Sequence, residues 1–407
     1  MSKLALHGGK PVRTEPFPTW PRWDEREITA VTEVVRSGKW GSKAGTRVQA
    51  FERAFADYHG ARHGVCVNSG TTALRVALQA LGIGAGDEVI VPAYTFVATA
   101  SAVLELGALP VFADIDLTTF NLDPNEIERL VTPRTRAVLP VHFGGRPVDL
   151  SAVVEICRKH DLQIVEDAAQ AWGSEWQGRK VGTFGKAGGF SFQSSKNITA
   201  GEGGILLSDD DAVADLCRGI ANCGRVQGRP WYEHHFLGGN YRMTELQAAV
   251  LLVQLERYEE LKQIRERNAR LLDQQLAEIE GIEPLTSDPN VTANSRHLYI
   301  FRYQKAEFGD APKSRFLEAL RAEGIPASPG YSLPLYQQPM FQKRAFGPLH
   351  RNAEALPDYA RVALPNTERA CHEEAVWLTQ NVLLGSEQDM MDVVRAISKI
   401  RESGALT

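Results

Sequence analysis

The feature of this sequence that most constrains its fold is a series of seven short apolar runs between residues 64 and 208, separated by stretches with helical periodicity. The runs are rich in Val, Ile and Leu, and polar residues do not alternate with the apolar ones inside them. Strands of this kind are buried on both faces, as in a mostly parallel sheet covered by helices. The sequence therefore predicts an open α/β fold rather than a β-sandwich, with strands at 64–68, 88–92, 109–114, 137–141, 162–166, 188–192 and 204–208.

The chain is long enough for more than one domain. Its 407 residues exceed the roughly 250–300 at which a single hydrophobic core stops growing. Residues 1–23 hold four prolines and two tryptophans, a composition that predicts an extended arm lying on another part of the molecule. We predict a large α/β domain over residues 24–255 and a smaller C-terminal α+β domain over residues 256–407, with a long helical pattern at the boundary.

The charge balance and the cysteine pattern exclude several classes of protein. The chain has 45 Lys and Arg against 50 Asp and Glu, a net charge of −5, so it lacks the basic surface of nucleic-acid-binding proteins and of membrane-surface helices. No stretch reaches the roughly 18 apolar residues of a membrane-spanning helix. The five cysteines form no C-x-x-C pair. We therefore expect an unanchored cytoplasmic protein with neither a metal site nor disulfides.

The segments that follow the predicted strands are where we expect a ligand, because open parallel sheets bind ligands at the carboxyl ends of their strands. After the first run, small hydroxyl and glycine residues at 68–72 lead directly into a helical stretch. A helix start of this composition exposes backbone N–H groups that bind anions. The segment is either a phosphate cradle or an ordinary helix N-cap.

Four further strand ends carry side chains that could serve a flat ligand bearing an aldehyde. Phe96 either stacks on a ring or packs in the core. His142 either faces the ligand or has a structural role. Asp167, beside Glu166, either holds a protonated ring nitrogen or caps a helix. Lys196, among Ser, Asn, Thr and Gly, is either a surface lysine or one that forms a Schiff base with an aldehyde.

Together these features match the requirements of pyridoxal phosphate, since a phosphate cradle, a stacking aromatic, an acid and a Schiff-base lysine occur at strand ends in chain order. At these residues the sequence resembles the DegT/DnrJ/EryC1/StrS family of sugar aminotransferases, which are fold-type I pyridoxal phosphate enzymes. The resemblance covers nearly the whole chain. It is most specific at residues 68–74, 95–99, 166–170, 191–197, 202–204 and 239–243.

The resemblance implies a set of phosphate-binding residues. On the family's motifs, Gly70, Thr71 and Thr72 bind the phosphate of pyridoxal 5'-phosphate, largely through backbone N–H groups, and Ser191 adds a hydroxyl group. Asn240 matches a residue that reaches the phosphate of the neighbouring subunit. The resemblance therefore implies a homodimer with shared active sites.

The resemblance also implies the residues that hold the ring. Phe96 matches the aromatic side chain that stacks on it, Asp167 the partner of the pyridinium nitrogen, and Gln170 a contact near the ring hydroxyl. Lys196 matches the lysine that forms the Schiff base and moves a proton during transamination. Related enzymes that deoxygenate sugars carry histidine at this position, so Lys196 favours amino transfer.

Two parts of the sequence indicate the substrate. Residues 4–12 with 20–23, and residues 376–385, resemble the inosose aminotransferases, which use glutamine as amino donor. We therefore expect transfer from L-glutamine or L-glutamate to a keto-cyclitol in aminocyclitol and antibiotic biosynthesis. Residues 331–336 depart from the His-containing stretch common in the family, so the acceptor stays open. Nucleotide-linked keto-sugar aminotransferases and 3-amino-5-hydroxybenzoate synthases are the alternatives.

Two other classes of protein are also open at this point. A pyridoxal phosphate lyase or decarboxylase would share Asp167 and Lys196 but would release no oxo acid from glutamine or glutamate. A non-catalytic binding or regulatory protein would need an added recognition module, and the chain has no basic segment to serve as one.

Overall fold

A seven-stranded, mostly parallel sheet forms the centre of the first half of the chain in the computed structural model, which describes residues 3–350, 356–404 and 406. Two smaller sheets accompany it. The strands of the described residues are β1 His63–Val67, β2 Glu88–Pro92, β3 Leu109–Ala113, β4 Thr135–Val138, β5 Gln163–Asp167, β6 Glu175–Trp176, β7 Arg179–Lys180, β8 Ala187–Ser191, β9 Gly204–Ser208, β10 Ile282–Pro284, β11 Val291–Ala293, β12 Leu298–Tyr303 and β13 Ala375–Thr379.

The strand order of the large sheet is β1-β9-β8-β5-β4-β2-β3. Strand β9 runs antiparallel to both of its neighbours, and every other neighbouring pair in this sheet is parallel. The predicted α/β fold class is confirmed, and the seven apolar runs are these seven strands. The fourth strand ends at Val138 rather than at residue 141, because Pro140 has no N–H group with which to continue the ladder.

Helices cover both faces of the large sheet. Alternate residues of β2 point to opposite faces, so Ile90 packs in one core while Val89 and Val91 pack in another. None of the helices in the described part of the chain is both long and apolar enough to cross a membrane. The helices are α1 Glu25–Ser37, α2 Arg47–His59, α3 Gly70–Ala80, α4 Ala98–Leu104, α5 Pro124–Leu130, α6 Leu150–Lys159, α7 Asp211–Ala221, α8 Glu245–Leu276, α9 Lys313–Ala322, α10 Pro339–Gln342, α11 Pro365–Arg369 and α12 Glu387–Ser403.

The long helix α8 connects the large sheet to the antiparallel sheet β10-β12-β13. The helix begins after Thr244, whose hydroxyl caps its first turn. Ala248, near its start, packs in the core of the large sheet. Leu272, near its end, packs in the core beneath the small sheet. The predicted domain boundary at residues 255 and 256 falls inside this helix, where Tyr258 still packs in the core of the large sheet, and the boundary stays a prediction.

Residues 3–23 form an arm with one short 3-10 turn and no other regular structure. The buried carboxylate of Glu323 anchors it by accepting a hydrogen bond from the N–H of Ala5 at 2.8 Å. Farther along, the indole N–H of Trp20 donates to the carbonyl oxygen of Ser194 at 3.1 Å. The arm therefore brings an aromatic side chain to the segment that follows β8.

Candidate active site

The carboxyl ends of β2, β5 and β8 open into one cavity of about 1010 Å³. This is the edge at which a parallel sheet binds ligands. Residues that are far apart in the sequence meet here because these strands end at the same edge. The predicted site residues that line the cavity are Gly70, Thr71, Phe96, Asp167, Gln170, Ser191 and Lys196.

Two predicted site residues do not line the cavity. Thr72 lies in the first turn of α3 and is held by the N-cap residue Ser69, whose hydroxyl accepts the Thr72 backbone N–H at 3.1 Å and lies 2.9 Å from the Thr72 hydroxyl oxygen. Asn240 is exposed and pairs its backbone with Asn222 instead. The role of Asn240 toward a neighbouring subunit stays a prediction.

One end of the cavity is built for an anion. Helix α3 begins at Gly70, after the N-cap residue Ser69, so the first backbone N–H groups and the positive end of the helix dipole lie at the cavity. The helix start packs closely on β8, because a Cβ atom added to Gly70 would lie 2.6 Å from Cβ of Ser191. The Ser191 hydroxyl, the helix start and Thr71 therefore converge on one place.

Asp167 lies at the end of β5 and is nearly completely buried. Its Oδ2 accepts a hydrogen bond from the Thr99 hydroxyl at 2.8 Å, and its Oδ1 accepts one from the N–H of Ala169 at 3.1 Å. Burial raises the pKa of Asp167, while these two hydrogen bonds and the charge of Lys196 act in the opposite direction. The residue is a fixed acid that a cationic ring nitrogen would stabilise in its ionised form.

Lys196 follows β8 and faces the same cavity as Asp167. Burial lowers the pKa of Lys196 to about 8, although the nearby Asp167 favours the protonated amine. A substantial fraction of this amine is therefore neutral near physiological pH. A neutral lysine is both a nucleophile toward an aldehyde and a base.

Aromatic side chains form another wall of the cavity. Tyr331 lies beside Asp167 and Gln170, and its ring centroid is 4.9 Å from that of Trp377 and 5.5 Å from that of Tyr94. Gln170 is fixed by its Oε1, which accepts the N–H of Gly144 at 2.8 Å. This wall offers apolar ring faces rather than charge to a molecule in the cavity.

Phe96 stands at the mouth of the cavity with 57% of its surface exposed. Large apolar side chains are usually buried, so this degree of exposure beside a cavity is unusual. Of the two roles that the sequence left open for Phe96, packing in the core is therefore wrong. The ring is free to contact a flat ligand.

His142 has a structural role and does not line the cavity. It is buried, and its Nδ1 accepts the N–H of Val148 at 3.2 Å, so its Nε2–H donates to Oε2 of Glu166 at 3.0 Å. Glu166 also accepts backbone N–H groups from the loop after β7, including that of Gly182 at 2.7 Å. Successive residues of a strand point to opposite faces, which explains why Glu166 and its neighbour Asp167 have different surroundings.

Thr99, His297 and Gln380 are among the cavity residues that were not singled out in the sequence. Thr99 and Gln380 lie inside stretches that carry the family resemblance, but nothing in their own spacing sets them apart. His297 precedes β12, and its Nδ1 lies 3.0 Å from Oδ1 of Asn197. Burial keeps the pKa of His297 well below its usual range, and the charge of Lys196 acts in the same direction, so this ring is neutral.

Comparisons with known proteins agree with this site. The sequence pattern of the DegT/DnrJ/EryC1/StrS aminotransferase family matches residues 21–398. A Streptoalloteichus tenebrarius protein, provisionally named L-glutamine:3-amino-2,3-dideoxy-scyllo-inosose aminotransferase, is 42% identical over 99% of this chain and 98% of its own length. The L-glutamine:2-deoxy-scyllo-inosose aminotransferase of Streptomyces kanamyceticus is 39% identical over 100% and 98% of the two chains. The crystal structure of 3-amino-5-hydroxybenzoic acid synthase has a TM-score of 0.86 and 35% identity, covering 96% of this chain and all of the other.

The predicted family resemblance is confirmed by these comparisons. The match extends over nearly the whole chain, and the relatives named above are aligned over almost their full lengths. Both the large sheet and the smaller C-terminal elements are therefore shared with them. This chain belongs to the DegT/DnrJ/EryC1/StrS aminotransferase family and is an aminotransferase.

Proposed function

We propose that this enzyme uses pyridoxal phosphate to move an amino group from L-glutamine, or from L-glutamate, to a keto-cyclitol of the scyllo-inosose type. The observation that carries the proposal is that Lys196 and Asp167 face one cavity whose far end is the start of α3. The relatives named for L-glutamine and inosose substrates support the choice of donor and acceptor.

The residues present fit this cofactor. Ser191 and the N–H groups at Gly70 and Thr71 would hold the phosphate, in a cradle too tight for a Cβ atom at residue 70. Asp167 would hold the ring nitrogen, and Phe96 is free to cover one ring face. When bound, pyridoxal phosphate supplies an aldehyde that takes up the amino group and a ring that withdraws electrons from the reacting carbon.

The side chain that moves protons is Lys196. Its Nζ would remove the proton from Cα of the donor and pass it to the carbon that carries the aldehyde of the cofactor. The lowered pKa, about 8, suits a group that must both accept and donate a proton near neutral pH. Asp167, held by the Thr99 hydroxyl, would stabilise a positive charge on the ring nitrogen of the cofactor.

The charges of the cavity favour a small uncharged acceptor. Among the described residues that line it, Lys196 is the one Lys or Arg side chain, and the acids are Asp167 and Glu202. A nucleotide diphosphate is usually bound by several cations, above all arginines. The aromatic wall of Tyr331 and Trp377 instead suits the C–H face of an uncharged ring.

The same enzyme is proposed to work as a homodimer. Exposed aromatic side chains cluster in the loop that precedes Asn240, with Trp231 68% and Tyr232 77% exposed. Apolar surface of this kind marks contact surfaces between proteins. Light scattering coupled to size-exclusion chromatography should give twice the chain mass of 44.9 kDa, and a monomer at micromolar concentration would contradict the proposal.

The decisive experiment follows the two half-reactions separately. Protein reconstituted with pyridoxal phosphate is expected to be yellow and to lose this colour when L-glutamine is added, with release of an oxo acid. The aminated protein is then offered scyllo-inosose, 2-deoxy-scyllo-inosose and a nucleotide-linked keto-sugar. Amination of the two cyclitols is expected. Reaction with the nucleotide-linked sugar alone would overturn the acceptor, and no response to L-glutamine or L-glutamate would overturn the transamination.

A further inference from the structure

A fully buried arginine lies behind the cavity wall without a carboxylate partner. Arg265, in the middle of α8, has 0% of its surface exposed. Among the described residues, no carboxylate oxygen lies within 4.0 Å of its guanidinium nitrogens. The contrast on the same helix is Arg257, whose guanidinium lies 2.9 Å from the Glu27 carboxylate. Uncompensated charges of this kind are costly to bury, so their retention needs a reason.

Among the described residues, the guanidinium of Arg265 donates hydrogen bonds to one side chain. Its Nε and Nη2 donate to Oε1 of Gln380 at 3.0 and 2.6 Å, while Nη1 is buried and has no hydrogen-bond partner among the described residues. Burial lowers the pKa of Arg265 to about 10, which leaves the group charged at neutral pH. The positive charge of Arg265 is therefore held at a fixed place, while the N–H donors of Nη1 are unpaired.

Three neighbours of Arg265 line the cavity. They are Gln380, Trp20 and His297. The ring centroid of Trp20 lies 5.2 Å from the guanidinium carbon of Arg265. The charges of Lys196 and Arg265 both contribute to the lowered pKa of His297. The positive charge is thus separated from the cavity by a single layer of side chains. In surroundings of low dielectric constant it acts strongly on an anion inside the cavity.

The hydrogen bonds to Arg265 also fix the amide of Gln380. Both guanidinium donors are directed at Oε1, so the Nε2 group is left to bond elsewhere. Gln380 is 3% exposed and lines the cavity, in the stretch 376–385. Its two N–H donors are therefore available to an acceptor atom in the cavity and backed by a positive charge.

We propose that Gln380 and Arg265 form the subsite for the α-carboxylate of the amino donor, with Gln380 donating through Nε2 and Arg265 orienting that amide and attracting the anion. This inference rests on the proposed function, because it needs an amino acid as donor. The proposed acceptor, a keto-cyclitol, is uncharged. Arg265 would therefore favour the donor over the acceptor in a cavity that both must enter. Arg265 is a positioning residue, because Gln380 lies between it and the substrate.

The test uses Gln380→Glu in the enzyme loaded with pyridoxal phosphate. This change keeps the shape of the side chain and gives Arg265 a carboxylate partner, so the fold should be retained. It removes both N–H donors and cancels the positive charge. The probe is 4-carbamoylbutanoate, which is glutamine without its amino group and therefore binds without reacting. Calorimetry is expected to show binding weakened about tenfold to a hundredfold, as for loss of a charge-assisted hydrogen bond.

A second variant, Arg265→Met, separates the charge from the amide. It should weaken the binding of 4-carbamoylbutanoate about tenfold and raise KM for L-glutamine, while KM for the cyclitol should stay within about twofold of the wild-type value. Arg265→Lys keeps the positive charge but loses the paired hydrogen bonds that the guanidinium donates to Gln380. Its affinity for 4-carbamoylbutanoate should therefore lie between those of wild type and Arg265→Met. The matched control is Arg257→Met, which removes a cation of the same helix and should lower the unfolding temperature without changing 4-carbamoylbutanoate binding.

The outcomes distinguish this inference from the proposed function. Unchanged binding of 4-carbamoylbutanoate in both Gln380→Glu and Arg265→Met overturns the subsite, even where wild type reacts with L-glutamine. An equal loss of affinity for the cyclitol and for 4-carbamoylbutanoate in these variants also overturns it, because the charge of Arg265 would then not favour the donor over the acceptor. A wild-type enzyme that neither binds this probe nor responds to L-glutamine or L-glutamate overturns both the inference and the proposed function.

Discussion

The hydroxyl of Thr99 donates a hydrogen bond of 2.8 Å to Oδ2 of Asp167, and this bond ties the first turn of α4 to the end of β5. Thr99 accepts in turn from Thr95, whose hydroxyl oxygen lies 3.0 Å away. The chain of two threonines fixes the direction of the carboxylate and favours its ionised form against the effect of burial. An acid placed in this way can hold a cationic ring nitrogen.

Thr99→Val is therefore expected to slow amino transfer. The change keeps the volume of the side chain but removes a hydrogen bond to a charged group, which contributes about 1.5–3 kcal/mol, so kcat should fall about tenfold or more. Thr99→Ser restores the hydroxyl and should recover most of the rate. Steady-state kinetics check this, and equal rates for the Val and Ser variants would contradict it.

Lys196→Ala is expected to abolish turnover. Loss of a positioned acid–base group alone costs about 10²- to 10⁴-fold. The protein should still bind pyridoxal phosphate through Ser191 and the start of α3, which equilibrium dialysis can measure. Lys186→Ala is the control, because that lysine is exposed and pairs with Asp210 at the surface. A Lys196→Ala enzyme with near-normal rates would refute the assigned role.

The pH dependence of cofactor attachment should report the pKa of Lys196. Only the neutral amine reacts with an aldehyde, and the pKa of this lysine in the cofactor-free protein is about 8. The rate at which cofactor-free protein combines with added pyridoxal phosphate should therefore rise with pH up to about 8 and then level off. Stopped-flow absorbance across pH 6 to 10 measures it. A rate that continues to rise up to pH 10 would show that the pKa of Lys196 is that of an ordinary solvent-exposed lysine.

The buried pair of His142 and Glu166 should matter for stability rather than for chemistry. Glu166→Ala leaves the neutral His142 ring and the Gly182 N–H without their acceptor, and each buried donor left without a partner costs about 1–3 kcal/mol of unfolding free energy. Chemical denaturation would measure this loss. Glu166→Gln keeps part of the hydrogen bonding and should cost less. A large fall in kcat without loss of stability would contradict the structural role.

The sequence could predict most of this site because its residues stand directly after buried strands. A parallel sheet brings such positions to one edge, so Phe96, Asp167 and Lys196 could be placed together from chain order alone. The opposite roles of Glu166 and Asp167 also follow from the alternation of side chains along a strand. The shortening of β4 before Pro140 also follows from the sequence, because proline has no N–H group with which to continue a ladder.

The rest of the site depends on contacts that no local pattern encodes. In the sequence, Arg265 is one of many polar residues in a long helical pattern. Its burial depends on contacts with Gln380 and Trp20, which are both distant in the chain. His297 reaches the cavity because β12, which follows it, packs against the segment after β4, where Leu298 and Ile300 share a core with Val141 and Phe143. Side-chain partners of this kind are set by tertiary packing, and a single sequence does not reveal them.

The closeness of Gly70 to Ser191 gives a last, sharply defined prediction. A Cβ atom at residue 70 would lie 2.6 Å from Cβ of Ser191, so Gly70→Ala must push the start of α3 away from β8. Overpacking of this kind costs about 1–3 kcal/mol. Here it also spreads the backbone N–H groups and the serine hydroxyl that would hold a phosphate, so the Kd for pyridoxal phosphate should rise about fivefold to a hundredfold.

Two controls separate this effect from a general loss of stability. Gly84→Ala places its Cβ atom in open space and should leave the Kd unchanged. Pyridoxal, which lacks the phosphate, should bind Gly70→Ala and wild type equally well, because it makes no use of the cradle. Fluorescence titration with both ligands measures these constants. Equal weakening of pyridoxal and pyridoxal phosphate would mean that the start of α3 positions the ring instead of the phosphate.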